Sequence, residues 1–73
     1  MASRVWFVKR RGPGWAVQRK DATVADSVHD AREPAIARGI DIARRAHGQL
    51  LVKDSAGRIE EEHDYSAEPA PGR

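Results

Sequence analysis

Histidines and carboxylates are the side chains of this 73-residue sequence that could hold a metal ion, since it contains no cysteine. His29, His47 and His63 are far apart along the chain, and Asp30 or Asp64 could join them. Zinc sites usually take two of their ligands from positions only a few residues apart. No such spacing occurs here, so the sequence predicts no metal site.

Acid–base catalysis would need two carboxylates held together in a pocket. Glu60, Glu61 and Glu62 alternate sides along a predicted strand, which puts two of them on one face. An edge strand gives them no pocket, and no serine has a histidine and an acid at positions typical of a triad. The turn at 12–14 and Gly57 do not precede a helix, as a phosphate loop does. We therefore predict no enzyme, no cofactor and no small-molecule substrate.

Basic side chains near the N-terminus are the remaining chemically suggestive group, because residues 1–20 contain no acid. On regular strands one face would carry an aromatic ring among cations, a geometry that stacks single-stranded bases and neutralises phosphates. The candidates for nucleic-acid binding on this face are Arg4, Trp6, Arg10, Gln18 and Lys20. The competing interpretation, which we favour, is that these cations pair across strands with the acidic residues 60–64.

The segment that must organise the fold is a helix within residues 29–48. Ile36, Ile40, Ala43 and His47 recur at helical spacing and form one face. An apolar face of this kind suits a helix that lies on a sheet. Gly39, inside the helix, would let a strand or a neighbour come close.

The ends of this helix carry recognisable signals. Asp30 is a good N-cap, but Ala31 as the cap would put Pro34 at the third helical position, where its missing N–H costs nothing. Both starts remain open at this point. Gly48 is expected to take the left-handed conformation that ends the helix.

The segments on either side of the helix read as β-hairpins. The predicted strands are 5–9 and 15–20, joined by a turn at 10–14, and 49–53 and 59–63, joined by a turn with Gly57 at positive φ. Residues 27–29 could add a short strand. The predicted fold is α+β: a small antiparallel sheet of two hairpins with one helix on one face (ββαββ), a single domain over 1–65. Residues 1–3 and the Pro/Gly/Ala-rich tail 66–73 are expected to be disordered.

Several short motifs carry a resemblance to a known family. They are GWAV at 14–17, SVHD at 27–30, AI at 35–36, GQLLV at 48–52 and GRI at 57–59. Together they resemble the small bacterial domain-of-unknown-function family catalogued as 2188, over about residues 5–65. The resemblance implies a compact ββαββ-type domain and no assigned activity. Ala31 stands where the family pattern has a threonine, and Pro34 where it has a glutamate.

The strands are apolar on both faces, which one helix cannot cover. We expect the layer against the helix to be Val5, Phe7, Trp15, Val17, Leu50, Val52 and Ile59. The apolar residues left on the far face would then be Trp6, Val8, Ala16 and Leu51, and these are the interface candidates. A chain this short buries only about 60% of its unfolded surface. We therefore expect a homodimer formed through the helix-free face or an edge of the sheet, with nucleic-acid binding as the alternative.

The expected cellular location depends on membrane-spanning segments and signal peptides. No apolar run approaches the roughly 20 residues that span a membrane, and no signal peptide is recognisable. We expect a cytoplasmic protein with no membrane partner.

Overall fold

The computed structural model describes residues 4–66, which form one helix and five strands. In chain order they are β1 (Val5–Arg11), β2 (Gly14–Arg19), β3 (Ser27–His29), α1 (Arg32–Arg45), β4 (Gln49–Lys53) and β5 (Ile59–Asp64). The α+β class and the short third strand are confirmed. The expected disordered segments 1–3 and 66–73 lie, apart from Ser66, outside the described residues.

The sheet is mixed, with strand order β3-β2-β1-β4-β5. The two predicted hairpins are present, but β1 and β4 lie side by side and run parallel. This corrects the expectation of a purely antiparallel sheet. The helix carries the chain from β3, at one edge, across the sheet to the far side of β1, and a crossover of this kind delivers a parallel strand.

The turn of the first hairpin is shorter than predicted, and the pairing of its two strands is shifted by one residue. Strand β1 continues to Arg11, and only Gly12, with φ 56, and Pro13 form the turn. The register pairs Val8 with Val17 and Arg10 with Trp15. A shift of one residue reverses the face of every side chain in a strand. The predicted orientation of β1 is therefore wrong.

The core lies between the helix and the face that this register selects. Trp6 and Val8, predicted on the far face, are in the core with 7% and 0% of their surface exposed. Phe7 and Val5, predicted in the core, lie on the opposite face of β1 and are only half-buried. The other core members from the sheet are Trp15, Val17, Leu50 and Val52, as predicted.

Small residues bring the helix close to the sheet. Ala35, Gly39 and Ala43 are its buried positions, while Ile36 and Ile40 pack at the margin of the core. A Cβ on Gly39 would lie 2.8 Å from Leu50 Cδ1 and 3.2 Å from Val8 Cγ2. The close approach predicted at Gly39 is thus confirmed, and the larger side chains of this core come from the strands.

The structure decides between the two predicted N-caps of the helix and corrects the residue predicted to end it. Ala31 is the N-cap, in extended conformation, so Pro34 is the third helical residue. His47, with φ 54, takes the left-handed position, not Gly48. The His47 N–H donates to Arg44 O at 3.2 Å and the Gly48 N–H to Ala43 O at 2.8 Å, the pair of bonds that defines a Schellman motif. Gly48 is required for another reason, because a Cβ there would clash with the carbonyl of Arg4.

Candidate interaction surface

One side of the sheet has no helix on it, and we call this side the free face. Its orientation follows from the register, since Phe7, Ala16 and Leu51 lie opposite to their core-forming neighbours. The apolar residues of the free face are Val5, Phe7, Ala16, Val28, Leu51 and Ile59. Of the predicted interface residues, Ala16 and Leu51 therefore lie on this face, whereas Trp6 and Val8 do not.

The centre of the free face is aromatic. Phe7 lies on the middle strand between Gln18 of β2 and Leu51 of β4. The Lys53 Nζ lies 4.6 Å from the centroid of the Phe7 ring, within cation–π range. Sequence reasoning missed Phe7, and the signal that could have found it is the Gly12–Pro13 pair, which suits a two-residue hairpin turn.

The most exposed apolar residues of the free face are at its two edges. Val28 of β3 is 58% exposed and Ile59 of β5 is 51% exposed. Ala16, which pairs with Val28, is fully buried although it lies on this side of the sheet. The face thus consists of a half-buried centre with an exposed apolar residue at either edge.

Charges on the free face are unevenly placed. Lys9 and Lys53 lie at the end of the sheet where β1 and β4 end, whereas Glu62 and Asp64 lie on the edge strand β5. The Asp64 carboxylate accepts hydrogen bonds from Ser66 Oγ at 2.6 Å, Ser66 N at 2.9 Å and Gln49 Nε2 at 3.2 Å. These bonds, that of the Ser66 hydroxyl first, lower the pKa of Asp64 below 3.8 and keep it charged near neutral pH.

The edges of the sheet are poorly suited to pairing with another strand. Strand β5 is exposed along most of its length, carries Glu60, Glu61 and Glu62, and has a register shift opposite Val52 and Lys53. Strand β3 is three residues long. Acidic side chains, irregular register and short length are the usual ways in which proteins prevent edge-to-edge association.

The predicted nucleic-acid-binding residues do not form one face. In the register Trp6 lies opposite Arg19, while Gln18 lies opposite Phe7 on the free face. The reason is the same two-residue turn, which places odd-numbered residues of one strand across from even-numbered residues of the other. The set Arg4, Trp6, Arg10, Gln18 and Lys20 is therefore divided between the two sides of the sheet.

The two tryptophans of the first hairpin, of which Trp6 belongs to this set, are also not free to stack on bases. Trp6 is buried, and its Nε1 donates to Asp26 Oδ2 at 3.1 Å. Trp15 is 8% exposed, and two guanidinium groups lie near its ring, with Arg10 Cζ at 5.5 Å and Arg32 Cζ at 5.4 Å from the ring centroid. Arg32 also forms an ion pair with Glu60. This ion pair joins the helix to β5 and does not involve the N-terminal cations, among which Arg19 contacts Asp21.

A surface cavity of about 410 Å³ lies beside Trp6. It is lined by Trp6, Arg19, Ala22, Val24, Asp26 and Ile42. Its charged groups have partners of their own, since Arg19 Nε contacts Asp21 Oδ1 at 2.6 Å and Asp26 accepts the indole N–H. The lining offers no nucleophile with an adjacent base, so we assign no reaction to it.

The histidines are not brought together, and two of them have side-chain partners nearby in sequence. His29 Nε2 is 2.9 Å from Ser27 Oγ, and His63 Nε2 is 3.1 Å from Glu61 Oε1. Among residues 4–66 no group of three or more potential ligands could hold a metal ion. Within the same residues no helix is long and apolar enough to cross a membrane.

Comparison with known proteins gives one match. The model of the family described as "Uncharacterized protein conserved in bacteria (DUF2188)" matches residues 5–65. No curated protein and no solved structure matches the chain.

Proposed function

Since the chain belongs to the bacterial family DUF2188, whose description assigns no activity, we propose a function from the chain's own surface. The protein is a non-enzymatic interaction module that forms a homodimer through its free face. The observation that carries the proposal is a five-stranded sheet with a helix on one side and apolar side chains on both.

The free face carries large apolar side chains among its polar and charged ones. A sheet that meets water on one side normally alternates apolar and polar residues along its strands. Strand β4 has Leu50 in the core and Leu51 on the free face, and β1 has Val8 in the core and Phe7 on the free face. Full burial of a side chain of this size contributes about 1.5–3 kcal/mol. A second copy would supply that burial to a chain too short for a large core.

Association through the face is favoured over association through an edge. The acidic, irregular strand β5 and the short strand β3 both resist strand addition. The apolar residues, in contrast, are on the free face and reach both of its edges.

A second copy of the same chain is favoured over a foreign partner because the free face contains both signs of charge. The acids Glu62 and Asp64 are on one edge, and Lys20 lies toward the other, after the end of β2. A two-fold interface uses one patch twice, so it needs a patch that complements itself. We place this association in the cytoplasm, which the absence of cysteine supports.

Sedimentation velocity across a micromolar to millimolar concentration series tests the proposal. The wild type is expected to form a dimer, and Phe7→Asp is expected to remain a monomer with unchanged circular dichroism. Val24→Asp is the matched control, because Val24 is 74% exposed but lies in the loop between β2 and β3. A wild type that is monomeric throughout the series would contradict the proposal.

A further inference from the structure

We propose that the two copies pair about a two-fold axis that runs along strand β1. Strand β5 of each copy then lies over β3 of the other and β4 over β2, and Ile59 of one copy packs on Val28 of the second. This inference rests on the free-face dimer proposed above and specifies how the dimer is arranged.

Beyond the pair of Arg11 and Gly14 beside the turn, the register divides the free face into three rows that cross the strands. The first row contains Val28, Ala16 and Lys9, continued by Lys53 and Ile59. The middle row contains Gln18, Phe7, Leu51 and Glu62. The last row contains Val5, Gln49 and Asp64, and Lys20 joins it because its N–H donates to Val5 O at 2.7 Å.

With an axis along β1, each row of one copy faces the same row of the other. The two edges of the sheet are exchanged, so β3 of one copy faces β5 of the other. Val28 and Ile59, at opposite ends of the first row, then face each other across the interface. They are the two apolar residues of the free face with more than half of their surface exposed, at 58% and 51%. Phe7, on the middle strand, faces Phe7 of the second copy. This arrangement covers both exposed apolar residues and keeps the strands of the two sheets aligned, as packed sheets prefer.

The same axis brings opposite charges together. Glu62 and Asp64 of β5 approach the corner of the second copy that holds Gln18 and Lys20, at the end of β2. Asp26, the residue before β3, is turned away from this contact because its carboxylate accepts the indole N–H of Trp6 on the helix side. The acidic edge of one copy therefore approaches the ammonium group of Lys20 of the other.

The remaining like charges come together near one end of the axis. Lys9 and Lys53 of each copy approach those of the other, and Arg11 follows Lys9 on the same face of β1, but all of them lie toward the end of the sheet. Their long side chains can extend past the interface and keep their ammonium groups in water.

The other two-fold axis in the plane of the interface runs across the strands, and it is disfavoured. It places β5 on β5, so Glu62 opposes Glu62 and Ile59 opposes Asp64. Val28 has no counterpart, because β3 begins at Ser27 and does not reach the last row. Opposed carboxylates and an uncovered valine make this arrangement the poorer one.

Cross-linking can distinguish the two arrangements, because the natural sequence has no cysteine to interfere. A short bismaleimide is the appropriate reagent, since opposed sheets lie about 10 Å apart, beyond the reach of a disulfide. Val28→Cys and Ile59→Cys chains with different tags are mixed and treated, and the products are resolved by mass. Glu62→Cys alone reports the other arrangement, because in ours the two copies of position 62 are about 21 Å apart, separated by four strand spacings and by the distance between the sheets. Ala37→Cys, exposed on the helix, is the control.

The expected result is a species of doubled mass that joins the Val28→Cys chain to the Ile59→Cys chain and is absent with Glu62→Cys or Ala37→Cys. If the wild type sediments as a dimer but Glu62→Cys cross-links to itself, or the mixed pair does not cross-link, the arrangement is wrong and the free-face dimer is retained. If the wild type sediments only as a monomer, both proposals fall.

Discussion

The ammonium group of Lys53 lies 4.6 Å from the centre of the Phe7 ring, on the side of the sheet that has no helix. Lys53 thus partly covers the central aromatic residue of the free face within a single chain. A cation over an exposed ring contributes about 0.5–1 kcal/mol, less than the burial of a phenylalanine contributes. Burial of Phe7 against a second copy would therefore stabilise the ring more than its contact with Lys53 does.

Adjacent leucines on β4 give the first prediction, because they point to opposite sides of the sheet. Leu50 is fully buried in the core, whereas Leu51 is a half-buried residue of the free face. Leu50→Ala should lower the free energy of unfolding by about 2–5 kcal/mol, since it leaves a cavity. Leu51→Ala should cost about 1 kcal/mol or less in the monomer. Urea denaturation followed by tryptophan fluorescence, at a concentration too low for association, measures both.

The outcome that would contradict this prediction is an equal loss of stability in the two variants. Sedimentation provides the complementary measurement at high concentration, where Leu51→Ala should weaken the proposed dimer.

The sequence was sufficient for the elements of the fold but not for the sides of β1. Helical spacing in α1 and the β-forming residues of the hairpins specify local structure, and Gly57, with φ 87, forms its turn as expected. The faces of β1 depend on the length of one turn. Reading it as 10–14 instead of Gly12–Pro13 exchanged Phe7 for Trp6 on the free face, because a strand reverses its sides with every residue.

The parallel neighbour of β1 could not be predicted for a different reason. Strands β1 and β4 are about forty residues apart in the sequence, and their pairing depends on the path that the helix takes across the sheet. No local sequence pattern predicts where the helix crosses the sheet. The predicted interface residues Ala16 and Leu51 were on the correct face because the orientations of β2 and β4 did not depend on the misread turn.

Gly48 gives a second prediction, on the junction between the helix and β4. A Cβ at this position would overlap the backbone carbonyl of Arg4, which cannot turn away as a side chain could, since Arg4 O accepts the Gln49 N–H at 2.8 Å. Gly48→Ala should therefore lower the free energy of unfolding by about 3 kcal/mol. Gly12→Ala is the control, because a Cβ there meets nothing within 4 Å and only its φ of 56 is unfavourable. Thermal unfolding should show the larger loss at Gly48, and a larger loss at Gly12 would refute this explanation.

His47 gives a third prediction, in which the substitution increases stability. It occupies the left-handed position of the helix C-terminus with φ 54, a conformation that costs an L-residue about 1–2 kcal/mol relative to glycine. Because glycine also loses more entropy on folding, His47→Gly should stabilise the protein by a net amount of about 1 kcal/mol. A higher midpoint of urea unfolding with an unchanged slope would agree with this. His47→Ala, which keeps the strain without the imidazole, should show no such gain.

The turn between β4 and β5 gives a prediction on pH. Asp54 Oδ1 accepts hydrogen bonds from the Arg58 N–H and the Ala56 N–H, each at 2.9 Å, and the bond from Arg58 is the main cause that lowers the pKa of Asp54 below 3.8. A carboxyl group whose pKa is lower in the folded state binds its proton more readily when unfolded. Its contribution to stability is therefore complete well above pH 3.8 and is lost as the pH falls below that value through the folded pKa.

Asp54→Asn removes this titration while keeping an oxygen that can accept the two turn hydrogen bonds. The variant should be less stable than the wild type at neutral pH, and the difference should shrink below pH 3.8, where the wild-type carboxyl group is protonated. The midpoint of thermal unfolding between neutral pH and the acid limb, at low protein concentration, measures this convergence. Asp30→Asn is the control, since Asp30 is exposed and makes no side-chain hydrogen bond or ion pair in the described part of the chain. If Asp54→Asn and the wild type lost stability in parallel over the acid range, the hydrogen bonds of Asp54 would not be what links this turn to pH.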